Sequence, residues 1–170
     1  MLQIKNESLN YPRNMKKKSA KIRTILVIED ERPLLKVINA RLGKDGFNVI
    51  SARSVDEVFN AGIEGKDASV IDAKRIKEAL KYLEDLENID AIWLDHNLIG
   101  KENGVDFIKK LRTNGPHWKK IPIFVVSNTE SAQTIKSYAS LGVRNYYIKS
   151  NHRLDEIIKD LNAFLDKNKA

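Results

Sequence analysis

The residues best suited to chemistry in this chain are acids that end apolar runs. Glu29 and Asp30 follow the run Thr24–Ile28, and Asp95 ends a second run, Ala91–Leu94. Neighbouring carboxylates repel one another, so a cluster of them needs a compensating positive charge. Oxygen ligands without cysteine or paired histidines favour a hard divalent cation, Mg²⁺ above all. Because Mg²⁺ also neutralises phosphoryl charge, these acids predict a site for phosphoryl chemistry.

A hydroxyl and an ammonium group follow two further apolar runs. Ser127 follows Pro122–Val126, and Lys149 follows Val143–Ile148. In an open parallel sheet, functional groups gather outside the carboxyl ends of the strands. We therefore expect Ser127 and Lys149 to lie beside the acids. Such a site looks built to place a phosphoryl group on a carboxylate. We expect Lys149 to form a solvated ion pair, which would matter little for stability.

The elements that must position these residues alternate along the chain. Apolar, β-branched runs predict strands, and apolar residues at helical spacing predict helices between them. The predicted strands are 24–28, 47–51, 91–94, 122–126 and 143–148, and the predicted helices are about 33–42, 71–86, 104–111, 130–140 and 153–166. Five successive βα units imply an α/β fold, with a doubly wound parallel sheet covered by helices on both faces.

Composition and charge narrow the class of protein. The 170 residues contain no cysteine, which excludes disulfides and thiolate chemistry. Residues 1–23 hold +6 of the net charge of +7. We therefore expect residues 1–20 to be a disordered basic tail, with nucleic-acid binding at most weak and through that tail. No apolar run is long enough to span a membrane, so a cytoplasmic location is predicted.

The domain organisation follows from the spacing of the predicted elements. By length the chain is one domain with an appendage, which places the tail at 1–20 and the domain at 21–170. The second and third predicted strands are separated by more residues than one helix and two short loops need. We interpret the excess, about 54–70, as an insertion.

The domain resembles the receiver domain of two-component response regulators, of the chemotaxis-receiver type. The segments that carry the resemblance are "LVIEDE", "IWLDHNL", "NGVDFIKKLR", "IPIFVVSN" and "NYYIKS". They occur in order over nearly the whole of residues 21–167, which makes them more specific together than any one alone. The resemblance implies a five-stranded flavodoxin-like fold with strand order 2-1-3-4-5.

The resemblance also implies roles for residues at the acidic edge. Asp95 would be the phospho-acceptor, in Mg²⁺-dependent self-phosphorylation and autodephosphorylation rather than conventional enzyme turnover. Glu29, Asp30 and Asp95 would bind Mg²⁺, with the backbone carbonyl of Asn97 as a further ligand.

Two further residues would connect the phosphate to a signalling surface. Ser127 and Lys149 would contact the phosphoryl group, and Tyr146 would be the aromatic switch residue together with Ser127. The surface would be formed by the helix after strand four, by strand five and by the last helix.

The function implied is that of a stand-alone response regulator. A histidine kinase or a histidine phosphotransfer protein would supply the phosphoryl group in a two-component phosphorelay. The chain ends soon after the last predicted helix, so we expect no output domain and a downstream partner protein instead. His96, beside Asp95, is a candidate for modulating dephosphorylation.

Two other classes of protein stay open. A pseudo-receiver would bind a partner without phosphate; the insertion favours this reading, as do Ser150 and Asn128, which depart from the usual family residues. A small nucleotide-binding or phosphatase-like enzyme is the other class. The chain lacks both glycine-rich phosphate motifs, and Asn97 stands where an aspartate-nucleophile phosphatase would have a second acid.

Overall fold

In the part of the chain that the structure describes, every strand except the second is followed by a helix. This computed structural model describes residues 22–54, 58, 88–113, 116 and 118–168. The elements are β1 (Thr24–Ile28), α1 (Arg32–Lys44), β2 (Asn48–Ala52), β3 (Ile89–Leu94), α2 (Gly104–Thr113), β4 (Ile123–Ser127), α3 (Ala132–Ser140), β5 (Asn145–Ile148) and α4 (Leu154–Lys167).

The strands form one parallel sheet in the order β2-β1-β3-β4-β5. This order confirms the predicted flavodoxin-like topology. In the register, Ile28 of β1 lies opposite both Ala52 of β2 and Leu94 of β3. The carboxyl ends of the three strands therefore lie at the same level of one sheet edge.

Two hydrophobic clusters cover the two faces of the sheet. Because side chains alternate along a strand, Ile25 and Val27 of β1 enter one cluster, and Leu26 and Ile28 enter the other. The first cluster is completed by apolar residues of α1 and α4, and the second by residues of α2 and α3. All five residues of β1 are buried. This explains its continuous apolar sequence, since a strand covered on both faces needs no polar side.

Several element boundaries differ from the predicted ones by one or two residues. Helix α3 begins at Ala132 rather than 130, because Ser131 takes the N-cap position and its hydroxyl accepts from Thr134 N–H. Strand β4 runs through Ser127, one residue further than predicted. Strand β5 begins at Asn145, two residues late, since the preceding turn contains Gly142 with a φ of +69°.

Some sequence predictions fall outside the described residues. These are the tail at 1–20, the helix at 71–86 and nearly all of the insertion at about 54–70. Among the helices that are described, none combines the length and the apolar character needed to cross a membrane.

Candidate phosphoryl-acceptor site

The three acids singled out in the sequence meet at the carboxyl end of β1 and β3. Backbone pairing continues beyond both strands, because Glu29 N–H donates to Ala52 O at 3.0 Å and Asp95 N–H donates to Ile28 O at 2.9 Å. One carboxylate oxygen from each of Glu29, Asp30 and Asp95 lies within 4.8 Å of the others. The sheet itself thus brings the acids together.

The acids differ in their exposure to solvent. Glu29 is fully buried, Asp95 is 3% exposed, and Asp30 is partly exposed. Burial raises the pKa of Glu29 to about 7, and the hydrogen bond from Lys149 opposes that rise only in part. Removing a carboxylate from water disfavours its charged form, so this edge keeps its charge only with a positive partner.

Lys149 supplies that positive partner at the end of β5. Its Nζ donates to Glu29 Oε2 at 2.9 Å and to Asp95 Oδ2 at 2.7 Å. Burial alone would lower the pKa of Lys149, but the hydrogen bonds to the two carboxylates outweigh it and the pKa is raised. The expectation of a solvated ion pair is wrong. The side chains of Lys149, Glu29 and Asp95 are only 13%, 0% and 4% exposed.

The Asp95 carboxylate is held through both of its oxygens. Oδ1 accepts the backbone N–H groups of His96 at 2.5 Å and of Asn97 at 3.3 Å, while Oδ2 accepts from Lys149. Backbone donors fixed in a loop orient a carboxylate without the entropy cost of long side chains. The Asp95 carboxylate is therefore held in a defined orientation within the acidic cluster.

The donor set fits a hard divalent cation. The cluster offers carboxylate oxygens from Glu29, Asp30 and Asp95, and partly exposed Asp30 leaves it open to water on one side. Mg²⁺ binds a few carboxylates and retains several waters, which suits such an edge. Asn97 is exposed, and the role of its carbonyl as a ligand stays a prediction.

Ser127 and Tyr146 lie beside the cluster on β4 and β5. Ser127 is fully buried, and its Oγ accepts from Thr129 N–H at 3.1 Å. The Tyr146 hydroxyl donates to Thr129 O at 2.7 Å. Burial raises the pKa of Tyr146, so this hydroxyl stays protonated and able to donate. Thr129 thus joins the two residues predicted to act as a switch.

The two residues that depart from the usual family residues, Ser150 and Asn128, are both exposed. Ser150 sits in the turn after β5, where its hydroxyl donates to Glu130 Oε1 at 3.3 Å, and the described residues contain no cis peptide bond. Neither residue removes a hydrogen bond from the acidic cluster.

Sequence reasoning missed Tyr138, which reaches the site from α3. It is fully buried, and its hydroxyl lies 2.8 Å from Nδ1 of His96. The available signal was an aromatic residue with a polar tip on the inner face of a predicted helix. Such a hydroxyl needs a buried partner, but the sequence does not say which one.

The chain matches the model of the response regulator receiver domain over residues 55–162. This range contains Asp95, Ser127, Tyr146 and Lys149 and begins after β2. No curated protein matches the chain.

Solved structures of receiver domains and response regulators resemble the fold. The non-phosphorylated HemR receiver domain from Leptospira biflexa is 21% identical with a TM-score of 0.61, over 84% of this chain and 94% of that one. The chemotaxis response regulator CheY4 of Vibrio cholerae is 18% identical with a TM-score of 0.60, over 84% and 98%. A two-component response regulator from Clostridium difficile is 18% identical with a TM-score of 0.63, over 87% and 99%.

Proposed function

Because the chain belongs to the family of response regulator receiver domains, we propose that it accepts a phosphoryl group on Asp95 from a histidine kinase or a histidine phosphotransfer protein. The observation that carries this proposal is the geometry of the buried cluster. Asp95 ends a central strand with its carboxylate oriented by two backbone N–H groups and by Lys149.

The transfer is a displacement at phosphorus. A carboxylate oxygen of Asp95 forms the new P–O bond, the bond from phosphorus to the donor's nitrogen or oxygen breaks, and the leaving group retains that electron pair. Positioning and electrostatic stabilisation are the main contributions that a protein makes to such a step. Lys149 supplies both, since its ammonium can turn from the carboxylate to the phosphoryl oxygens. Hydrolysis by water returns Asp95 to its starting state.

Mg²⁺ would be held by Glu29, Asp30 and Asp95, with the carbonyl of Asn97 as a further ligand. When bound, it supplies positive charge that offsets repulsion between the carboxylates and the incoming phosphoryl group. Asp30 is partly exposed, so its carboxylate lies where a hydrated cation can enter before the phosphoryl group arrives.

The signal would leave the site through Ser127 and Tyr146. A phosphoryl group on Asp95 would offer acceptor oxygens to the Ser127 hydroxyl, which accepts from Thr129 N–H in the unphosphorylated protein. A shift of the loop that contains Thr129 moves the carbonyl oxygen to which the Tyr146 hydroxyl donates. The affected surface consists of α3, β5 and α4, and we propose that a downstream protein binds there.

The intact mass after incubation with acetyl phosphate and Mg²⁺ tests the function. We expect the wild-type chain to gain the mass of one phosphoryl group, and to gain none when the metal is chelated. Asp95→Asn should gain none. Asp90→Asn is the matched control and should behave as wild type, since Asp90 lies at the other end of β3.

A folded wild-type chain that gains no mass under these conditions would contradict the proposal. That result would favour the pseudo-receiver, which binds a partner without phosphate. A gain in mass by Asp95→Asn equal to that of the wild type would instead place the acceptor elsewhere.

A further inference from the structure

A buried tyrosine connects helix α3 to the residue beside the proposed phospho-acceptor. Tyr138 is fully buried in the cluster on the α2 and α3 face of the sheet. Its hydroxyl lies 2.8 Å from Nδ1 of His96, and the two rings meet edge to face with centroids 5.7 Å apart. The proposed phosphoryl transfer assigns no role to this contact.

Gly104 makes room for the tyrosine hydroxyl. A side chain on Gly104 would collide with the Tyr138 hydroxyl, and its first carbon would also lie 2.7 Å from the Asp95 carbonyl oxygen. Real side-chain carbons do not approach other atoms so closely, and only glycine therefore fits at this position. Gly104 N–H also donates to His96 O at 2.9 Å, which fixes the loop against the start of α2.

The contact is a hydrogen bond between the Tyr138 hydroxyl and Nδ1 of His96, and the tautomer of His96 decides which group donates.

We propose that Tyr138 is a positioning residue for Asp95. The Tyr138 hydroxyl anchors the His96 side chain, and the backbone N–H of His96 donates to Asp95 Oδ1 at 2.5 Å. The bond therefore holds residue 96 in the position that orients the carboxylate. Because Tyr138 belongs to α3, a displacement of Asp95 on phosphorylation is also transmitted to α3.

This connection is separate from the one through Ser127, but the two meet. The rings of Tyr138 and Tyr146 pack with centroids 5.4 Å apart, so a change at either residue reaches the other. The expected effect of Tyr138 on the phosphorylation rate rests on the proposed function. The position of His96 can be measured in the unphosphorylated protein.

The first experiment uses Tyr138→Phe, which retains the ring and removes the hydroxyl. Tyr147→Phe is the matched control, since Tyr147 is 5% exposed, lies on the opposite face and has a hydroxyl bonded to Asp160 and Asn145. We expect the amide proton and imidazole nitrogen resonances of His96 to move in Tyr138→Phe without phosphate. They should stay in place in Tyr147→Phe, although both variants lose a buried hydroxyl.

The second experiment measures uptake of the phosphoryl group from acetyl phosphate. Tyr138→Phe should slow the uptake roughly threefold or more, as expected for loss of an interaction that orients the reacting group. Tyr147→Phe should remain near the wild-type rate. His96→Leu removes the same hydrogen bond from the other side, and the double variant should be no slower than the slower single variant.

The outcomes distinguish a failure of the inference from a failure of the proposed function. If the wild-type chain takes up no phosphoryl group, the proposed function fails, and the His96 resonances alone decide the inference. Unchanged His96 resonances in Tyr138→Phe would overturn it, as would a wild-type uptake rate. If Tyr138→Phe does not fold, His96→Leu decides, and wild-type uptake in that variant would overturn the inference.

Discussion

The two ends of the sheet carry ion pairs whose carboxylates lie in opposite environments. At the carboxyl end, Lys149 pairs with Glu29 and Asp95, and the three side chains are 13%, 0% and 4% exposed. At the amino end, Arg23 pairs with Asp166 at 2.8 Å, and Asp166 is 61% exposed. The two cations are covered to a similar degree, since Arg23 is 17% exposed, but the carboxylates are buried at one end of the sheet and solvated at the other.

Under the proposed function, the difference separates a site for phosphoryl chemistry from a contact that only contributes to the fold. Desolvating two carboxylates and an ammonium costs free energy that their attraction returns only when the geometry is good, and apolar side chains of similar size are often as stable. Stability alone therefore does not account for the buried cluster. An oriented carboxylate beside an ammonium suits the proposed phosphoryl transfer, because preorganised charges stabilise the charge that develops in the transition state.

The largest expected effect comes from removing the buried ammonium. Lys149→Met keeps much of the side-chain volume but leaves Glu29 and Asp95 without their partner. We expect the free energy of unfolding in chelator to fall by about 3 kcal/mol, since breaking a buried pair strands a charge. Urea unfolding measures this, and added Mg²⁺ should restore part of the loss. A loss no greater than that of a surface pair would show that the cluster is solvated.

The next effect tests the close approach at Gly104. Gly104→Ala should lower the free energy of unfolding by about 1–3 kcal/mol, because the added carbon displaces the Tyr138 hydroxyl and the Asp95 backbone. Gly43→Ala is the control, since Gly43 lies in α1 with open space around it. That variant should be slightly more stable, by roughly 0.5–1 kcal/mol. Equal thermal unfolding of the two variants would contradict the packing at the carboxyl end.

A smaller effect concerns the metal. Asp30→Asn removes one charge from the acidic cluster, and Mg²⁺ affinity should fall by about tenfold or more. Asp45→Asn changes an exposed acid after α1, at the amino end of the sheet, and should leave the affinity unchanged. Amide chemical shifts during a Mg²⁺ titration measure both. If the two variants titrate like the wild type, the cation binds elsewhere.

The smallest effect is expected for the solvated pair. Arg23→Met removes a charge whose partner is largely in water. A pair of this kind contributes roughly 0–1 kcal/mol, and salt screens it further. Urea unfolding at low and high salt should show little difference from wild type. A loss comparable to that of Lys149→Met would remove the contrast between the two ends.

The sheet could be predicted because its strands are buried on both faces. Runs such as Thr24–Ile28 leave a β-branched signal that periodicity detects, and five of them between helical patterns specify a parallel sheet. The convergence of the three acids could be predicted because the carboxyl ends of parallel strands meet at one edge of the sheet. The boundaries of α3 and β5 were harder to predict than the sheet, because capping by Ser131 and the turn at Gly142 set them locally.

Burial and long-range partners could not be predicted in the same way. The depth of Lys149 depends on how β5 and the loops pack, and a lysine after a strand looks the same whether it is buried or solvated. The bond from Tyr138 to His96 joins residues 42 positions apart, through space left by a glycine. Such a contact depends on three elements at once, and no local pattern encodes it.

The most direct test of the central claim is to locate the phosphoryl group chemically. After reaction with acetyl phosphate and Mg²⁺, borohydride reduces an aspartyl phosphate to homoserine and releases the phosphate. Peptide mapping by mass spectrometry then identifies the reduced residue. We expect homoserine at residue 95 and unmodified Glu29, Asp30 and Asp90. Reduction at any other acid, or a phosphorylated chain with unmodified Asp95, would contradict it.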